Sequence, residues 1–240
     1  MTKKIEFFSS VPGLAETFPI RPAREVLPNW VHVARADYLK QKDKREIHIF
    51  KCPGIFELFG TGYILPAWHD FEIESTEIGF RVTIPDGSLN DILGKETLQS
   101  QHSDGVAKFL PKRPWSVASI LKINTPWQVL APKGLKFLMI PLPYTDDFRF
   151  ESCSGILDPG ISSELNVQGY WNVPMGKQVI KAGTPLVQII PMTEKTYDYI
   201  VRDKNASDEL WMAKRKYLNF FAFMFNRPKI KEAYERHVNQ

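Results

Sequence analysis

Two polar residues, Asp158 and Gln188, stand in sequence contexts that could support chemistry. Asp158 lies in the turn-forming segment from Gly155 to Gly160, and Gln188 interrupts the apolar run from Leu186 to Ile190. A carboxylate can act as a general base that activates water, and a carboxamide can orient that water or the ring of a ligand. Each residue also has a structural interpretation, because an Asp before Pro-Gly caps its own turn and a strand glutamine faces solvent or bonds the neighbouring backbone. The sequence leaves both alternatives open.

Metal-ligating and nucleophilic residues form no recognisable pattern. The five histidines show no H-x-x-x-H, H-x-D or Cys-His spacing; they are His32, His48, His69, His102 and His237. The adjacent residues His69 and Asp70 would point to opposite faces of a strand, which favours a turn there. Cys52 and Cys153 have no identifiable base that would activate either thiol. No metal site and no cofactor are therefore expected.

Several segments resemble motifs of the dUTPase and dCTP deaminase superfamily. Its third and fourth motifs are similar to Gly155-Ile156-Leu157-Asp158, Ser163 to Val167, and Ile180 to Pro191. Its first motif resembles Gly62 to Ala67 with the following His69 to Ile73, and its Pro-x-Gly hairpin resembles Leu130 to Pro143. The resemblance covers roughly residues 60–191. It implies a β-clip core, a catalytic position at Asp158, and ligand-binding positions at Gly155, Gln188 and Tyr63.

Most other catalytic positions of that family are replaced in this chain. Ile64 stands where the first motif has its acid, and Ile161 stands where a tyrosine follows the catalytic aspartate. The turn Pro141-Leu142-Pro143 lacks the arginine and the serine of the family's Pro-Arg-Ser turn, and no glycine-rich fifth motif follows Pro191. A nucleoside triphosphate needs several donors or cations around its charge. The resemblance is therefore more specific for the fold than for the reaction.

The whole chain also resembles a group of proteins of similar length from tailed marine bacteriophages. The matching phrases are Pro22-Ala23 with Pro28-Asn29-Trp30, Lys51 to Phe56, Pro66 to Asp70, Asn124 to Trp127, and Tyr170 to Val173. This resemblance implies a phage origin, with the protein acting in the cytoplasm of the infected host cell or in the virion. Relatives of the β-clip core are usually trimers, so a homo-oligomer is expected. A host or virion protein is a further expected partner.

The elements that must position these residues are mainly strands. Apolar and polar residues alternate in Phe71 to Glu74 and Phe80 to Ile84, and turn signals recur through residues 47–192. This pattern predicts a mainly β, dUTPase-like core, built as a distorted barrel or sandwich, with a first strand at residues 47–50. Residues 1–46 are predicted to form an extended arm with a short helix over residues 30–41. Residues 193–240 are predicted to form a helical tail with Ser207 as its N-cap, all within one structural domain.

Composition and charge narrow the function classes. The chain has 240 residues and a formal net charge of +4, but its positive residues are spread along the sequence. A nucleic-acid partner is not expected, because such binding needs cations gathered on one surface. No apolar run approaches the 18 or more residues that span a membrane. Residues 85–113 are polar and weakly patterned, which predicts a long loop or insertion.

Two functions remain from the sequence. The first is a non-catalytic binding or assembly protein whose dUTPase-like fold has lost most catalytic motifs. The alternative is a divergent deoxynucleotide diphosphohydrolase or deaminase in which Asp158 activates water, with Mg²⁺ as a cofactor under this hypothesis only. The alternative requires phosphate-binding cations from outside the usual motifs, for example Lys112, Arg113 or Lys133.

Overall fold

The computed structural model describes residues 4–43, 45–76, 79–84, 100–101 and 108–213. In these ranges the chain forms fifteen β-strands, three complete α-helices, two 3-10 helices and the described part of a further helix over residues 206–213. The prediction of a mainly β fold is thereby confirmed, whereas the narrower dUTPase-like fold stays a prediction. The chain divides into two compact units, residues 1–203 and residues 204–240.

The α-helices are Leu14–Thr17 (α1), Asn29–Lys40 (α2) and Pro53–Gly60 (α3), and the 3-10 helices are Ala23–Glu25 and Ile49–Lys51. The first strands are Ile5–Ser9 (β1), Arg21–Pro22 (β2), Tyr63–Pro66 (β3), Phe71–Thr76 (β4), Gly79–Thr83 (β5), Ser100–Gln101 (β6), Ile120–Ile123 (β7) and Trp127–Leu130 (β8). The remaining strands are Phe137–Ile140 (β9), Phe150–Ser152 (β10), Gly155–Leu157 (β11), Val167–Trp171 (β12), Gly176–Ile180 (β13), Pro185–Pro191 (β14) and Tyr199–Asp203 (β15).

The described strands form four open sheets. Their strand orders are β15-β1-β8, β10-β12-β7-β6, β11-β9-β14-β3-β2 and β13-β4-β5. None of these sheets closes on itself within the described ranges, so the barrel alternative of the predicted fold is not observed. The five-stranded sheet ends on one side at β2, where Pro22 has no N–H to extend the ladder, and on the other side at β11, just before Pro159.

One continuous core of buried side chains draws on all four sheets. It includes Phe7 from β1, Leu65 from β3, Phe71 from β4 and Trp171 from β12, each at most 1% exposed. Burial of a large apolar side chain contributes about 1.5–3 kcal/mol. The alternation predicted for β4 is confirmed, because Phe71 and Ile73 are buried whereas Glu72 and Glu74 are not. This core holds the sheets on which the candidate site residues lie.

The N-terminal segment differs from the surface arm predicted for residues 1–46. Ile5–Ser9 is the central strand of its sheet, where it pairs with β15 in parallel and with β8 in antiparallel orientation. Phe7 and Phe8 are fully buried. The physical reason is that β1 contains no proline, so its backbone can form a ladder on both edges. The predicted helix that follows within this segment is confirmed as α2.

The strand predicted at residues 47–50 is also wrong. Residues 49–51 form a 3-10 helix, because Nδ1 of His48 accepts a hydrogen bond of 3.0 Å from the backbone N–H of Phe50 and bends the chain. Helices α2 and α3 then pack on each other around a small second core. Its buried members are Val31, Ile55 and Phe59.

The C-terminal boundary differs as well. Residues 199–203 are strand β15, although they fall inside the segment 193–240 that was predicted to be helical. Residues 206–213 are helical, and the N-cap is Asn205 instead of Ser207. The Oδ1 atom of Asn205 accepts from the backbone of Ser207 and Asp208, and Oδ2 of Asp208 accepts from the backbone of Asn205 at 2.8 Å. This reciprocal arrangement is a capping box.

Two predicted segments fall largely outside the described residues. They are the helical tail beyond residue 213 and most of the loop predicted over residues 85–113. Among the helices that the structure describes, none is long and apolar enough to cross a membrane.

Candidate functional site

Asp158 lies at the end of strand β11, and its carboxylate stabilises its own turn. Oδ1 accepts a hydrogen bond of 2.8 Å from the backbone N–H of Gly160. The main-chain oxygen of Asp158 accepts from Ile161 and Ser162, which closes the turn. Oδ2 lies 3.5 Å from Nζ of Lys136, the residue immediately before the neighbouring strand β9. This geometry agrees with the structural interpretation of Asp158 as an aspartate that caps its own turn.

Gln188 lies in the middle of β14, and its side chain is held between that strand and the end of helix α3. Its Nε2 group donates to the carbonyl oxygens of Leu58, at 2.8 Å, and Thr61, at 2.6 Å. Only the amide nitrogen can donate, so these two acceptors fix which way the carboxamide faces. Gln188 is 1% exposed. Its Oε1 atom accepts no hydrogen bond from any residue that the structure describes.

Tyr63 and Gly155 lie on the opposite face of the same five-stranded sheet. Residues directly opposite each other across the strands run in the row Gly155, Met139, Ile189 and Tyr63. Gln188 belongs to the adjacent row, with Ile140 and Ile64. Because successive side chains of a strand point to opposite faces, the Tyr63 ring and the Gln188 carboxamide are on different sides of the sheet.

Tyr63 is part of the main core. Its ring packs edge-on against Phe7 with centroids 5.0 Å apart, and it contacts Tyr199 at 5.2 Å. Burial, with a smaller contribution from the neighbouring Tyr199, raises the pKa of Tyr63 to about 12. The structure therefore does not bring Asp158, Gly155, Gln188 and Tyr63 together into one site.

A cavity of about 380 Å³ adjoins Gln188. We call it the Gln188 cavity. Its apolar wall includes Val26, Phe59, Ile64 and Leu142, and its polar lining includes Thr145, Asp146, Asp147, Arg149 and Thr184. The cavity lies between the helix α3 side of the five-stranded sheet and the loop over residues 141–149. Of the four residues named from sequence, Gln188 alone is part of this lining.

A paired aspartate and arginine form the charged part of this lining. Arg149 donates from Nη2 to Asp147 at 2.6 Å and from Nη1 to the carbonyl oxygen of Val179 at 2.7 Å. The Arg149 guanidinium holds the pKa of Asp147 below its usual value. Sequence reasoning missed this pair. The i, i+2 spacing of an acid and a base in Asp147-Phe148-Arg149 is the signal that could have indicated it.

The loop over residues 141–149 is fixed to the helices by an aromatic contact. Nε1 of Trp30 donates to the carbonyl oxygen of Tyr144 at 2.9 Å, and the Tyr144 ring packs against Trp30 and Phe59. Tyr144 has a φ of 52°, a left-handed conformation that is uncommon for a residue with a side chain. A second cavity, of about 340 Å³, lies along this loop and shares Leu142, Thr145, Asp147 and Pro185 with the Gln188 cavity.

The cations proposed for phosphate binding lie elsewhere. Arg113 forms an ion pair with Glu151, and its guanidinium lies 4.3 Å from the ring centre of Tyr170. The hydrogen bond from Arg113 to Glu151 raises the pKa of Arg113. Lys112 and Arg113 line a small cavity of about 100 Å³ whose lining does not include Asp158. Lys133 is exposed in the turn between β8 and β9.

In the described residues, no three His, Cys, Asp or Glu side chains form a cluster that could hold a metal ion. Nδ1 of His69 lies 3.0 Å from the carbonyl oxygen of Asp70. The Asp70 carboxylate accepts from Lys181 and from the backbone of Ala182. Burial raises the pKa of the Cys153 thiol, which opposes its use as a nucleophile at neutral pH.

Comparison with known proteins adds no family to this description. The chain matches no family model, and no curated protein shows significant similarity to it.

Proposed function

We propose that this chain is a non-catalytic binding protein with a dUTPase-like core. The observation that carries the proposal is that both oxygens of the Asp158 carboxylate have partners within the protein. One oxygen accepts from Gly160 in its own turn, and the other lies next to Lys136. A general base must instead reach the proton of a water or substrate. This geometry supports a structural role for Asp158 and thus a core without the family's reaction.

The charge around the Gln188 cavity supports the same proposal. Its lining contains two carboxylates, Asp146 and Asp147, and one guanidinium, Arg149, which is already paired. A site for a nucleoside triphosphate concentrates cations and donors around the phosphates. The lining of the Gln188 cavity instead has more carboxylates than cations. The two cations Lys112 and Arg113 line a different cavity. Binding of an uncharged or positively charged partner suits the cavity better than turnover of a nucleotide.

The biological setting of the proposal comes from the resemblance to marine phage proteins. It supports a role in the infected bacterial cell or in the virion, where a host or virion protein would be a partner. The resemblance to β-clip proteins supports a homo-oligomer, with a trimer as the proposed state. Sedimentation equilibrium of the purified chain would measure that state, and a monomer at micromolar concentration would contradict it.

The catalytic alternative is tested by a paired activity and binding assay. Purified protein is incubated with deoxynucleoside triphosphates and Mg²⁺, and release of pyrophosphate or ammonia is measured. Thermal shifts with the same nucleotides are recorded in parallel, because a ligand at a hundred times its dissociation constant adds roughly 2.7 kcal/mol of stability. We expect neither product nor a thermal shift.

Asp158→Asn and Asp158→Ala provide the matched variants. Asn keeps an acceptor for the Gly160 N–H, so it should retain most of the stability, whereas Ala should lose about 1 kcal/mol with the lost hydrogen bond. Turnover of one nucleotide that is abolished in Asp158→Asn, without loss of stability, would overturn the proposal. It would establish the diphosphohydrolase or deaminase alternative.

A further inference from the structure

Gln188 presents one unused acceptor in an otherwise apolar part of the Gln188 cavity. Both hydrogens of its Nε2 group are directed to the carbonyl oxygens of Leu58 and Thr61, so the carboxamide cannot rotate to exchange its oxygen for its nitrogen. Oε1 has no donor among the described residues, although Gln188 is 1% exposed. Oε1 is not among the described side-chain atoms that are both shielded from solvent and without a partner, so it keeps contact with solvent, and a bound group that supplies an N–H would replace water there.

We propose that the Gln188 cavity binds an uncharged ligand group that carries an N–H on a flat apolar body, such as a carboxamide or a heteroaromatic ring N–H. The proposal rests on the proposed function, since it assumes a binding protein, and it adds the class of ligand. The N–H would donate to Oε1 of Gln188. The apolar body would contact Phe59, Ile64 and Leu142, which line the same cavity.

The charges of the cavity exclude an anionic ligand group. Asp146 and Asp147 face one paired arginine, Arg149, so the lining has one formal negative charge. A carboxylate or phosphate placed near Oε1 would also meet the partial negative charge of that oxygen. A fixed cation next to Oε1 would be costly as well, because the neighbouring wall of Phe59 and Ile64 is apolar and gives little solvation to a charge.

The size of the cavity fits a ring-sized group. Ligand pockets usually have volumes of about 300–1,000 Å³ and combine apolar walls with a few placed polar groups. The Gln188 cavity, at about 380 Å³, lies near the lower end of that range. Its orienting acceptor is held rigidly by the end of helix α3 and by strand β14, so it needs no rearrangement to receive a donor.

Three small molecules of similar shape test the proposal directly. They are benzamide, which has an N–H donor, N,N-dimethylbenzamide, which has none, and benzoate, which is an anion. Each is titrated into ¹⁵N-labelled full-length protein to roughly 10 mM, a range suited to ligands with so few atoms. We expect benzamide to bind about twofold to tenfold more tightly than either analogue, as one hydrogen bond of ordinary strength predicts. The Gln188 side-chain amide signals should shift with benzamide.

Two variants and one control locate the binding. Gln188→Met removes the acceptor, but it also leaves the carbonyl oxygens of Leu58 and Thr61 without their donor. Val26→Trp is therefore the main variant, because it places a large side chain at a half-buried position of the cavity wall and leaves Gln188 unchanged. Leu110→Trp makes the same kind of change at another half-buried position outside this cavity. We expect Val26→Trp to abolish benzamide binding and Leu110→Trp to leave it within about twofold.

Three results would overturn the ligand class. They are no binding of benzamide up to that concentration, equal binding of N,N-dimethylbenzamide, or binding that Val26→Trp does not change. Tighter binding of benzoate would equally contradict the charge argument. None of these outcomes touches the proposed non-catalytic function, which is tested by the nucleotide assays with Asp158→Asn. The two proposals therefore fail independently.

Discussion

The carboxylate of Asp203 caps the turn that begins at Gly13. Oδ2 of Asp203 accepts a hydrogen bond of 2.6 Å from the backbone N–H of Gly13, and Oδ1 accepts one of 3.1 Å from Ala15. These donors belong to the start of helix α1, where backbone N–H groups have no partner within the helix. The last residue of β15 thereby fixes the segment that follows β1.

Replacement of Asp203 by Ala should therefore destabilise the β-rich unit. We expect the free energy of unfolding to fall by about 1–2 kcal/mol, the usual cost of removing a side-chain cap. Urea denaturation followed by tryptophan fluorescence would measure the change. Asp198→Ala is the matched control, because Asp198 is exposed and, in the part of the chain that the structure describes, only its backbone takes part in hydrogen bonds. A loss in the control as large as in Asp203→Ala would contradict the assignment.

Gly62 should tolerate no side chain. It has a φ of 77°, and a Cβ atom added there would overlap the main chain of Ile189 on strand β14. Gly134 has a similar φ of 84° but has open space around it. Gly134→Ala should cost about 1–2 kcal/mol for the left-handed backbone alone. Gly62→Ala should cost more than about 4 kcal/mol or prevent folding, because strands β3 and β14 would have to separate. Similar losses in the two variants, measured by urea denaturation, would show that the overlap does not matter.

Asp147 should make stability depend on acidic pH. Its pKa is lowered, chiefly by the hydrogen bond from Arg149. A carboxylate with a lowered pKa in the folded state stabilises the protein above its unfolded pKa of about 3.9, and this contribution is lost as the pH falls through the folded pKa. Melting temperatures between pH 7 and pH 3 should thus fall less steeply in Asp147→Asn than in the wild type. Parallel curves for the two proteins would contradict this prediction.

Tyr63 should make stability depend on alkaline pH. Burial raises its pKa to about 12, whereas an unfolded tyrosine titrates near 10. Between these values the unfolded state releases a proton that the folded state keeps, so stability decreases as the pH rises. Tyr63→Phe removes the titrating hydroxyl and should show a smaller loss of melting temperature between pH 9 and pH 11. Tyr199→Phe is the control, because it removes a hydroxyl from the same aromatic pair at an exposed position. If the melting temperature of Tyr63→Phe fell with pH as steeply as that of the wild type, this prediction would be contradicted.

The parts of the fold that could be predicted from sequence are those determined by local pattern. Strand β4 alternates buried Phe71 and Ile73 with polar neighbours, and this period of two is visible in any window of the sequence. Helix α2 was likewise predictable from its spacing. The position of β1 was not, because Ile5–Ser9 gains its central place from two strands that lie far along the chain. Pro19, Pro22 and Pro28, further along the same segment, indicated an extended surface arm instead.

The candidate site shows the same division. The sequence singled out Gln188 because a polar residue interrupts an apolar strand, and the structure explains that interruption by the carbonyl oxygens of Leu58 and Thr61. Those partners belong to a helix end that no local pattern connects to β14. The contribution of Asp147 and Arg149 to the cavity depends on how the loop over residues 141–149 folds back. Ligand binding at Gly155, Gln188 and Tyr63 stays a prediction.

The parallel pairing of β1 with β15 also determines when the chain can finish folding on the ribosome. Strand β1 is synthesised before β15, and its partner residue Asp203 follows about 190 residues later. At roughly 5–20 residues per second, the apolar segment Ile5–Ser9 waits on the order of 10–40 s before its sheet can be completed. During that interval the apolar side chains of Ile5, Phe7 and Phe8, which are buried in the folded protein, lack the β15 side of their sheet.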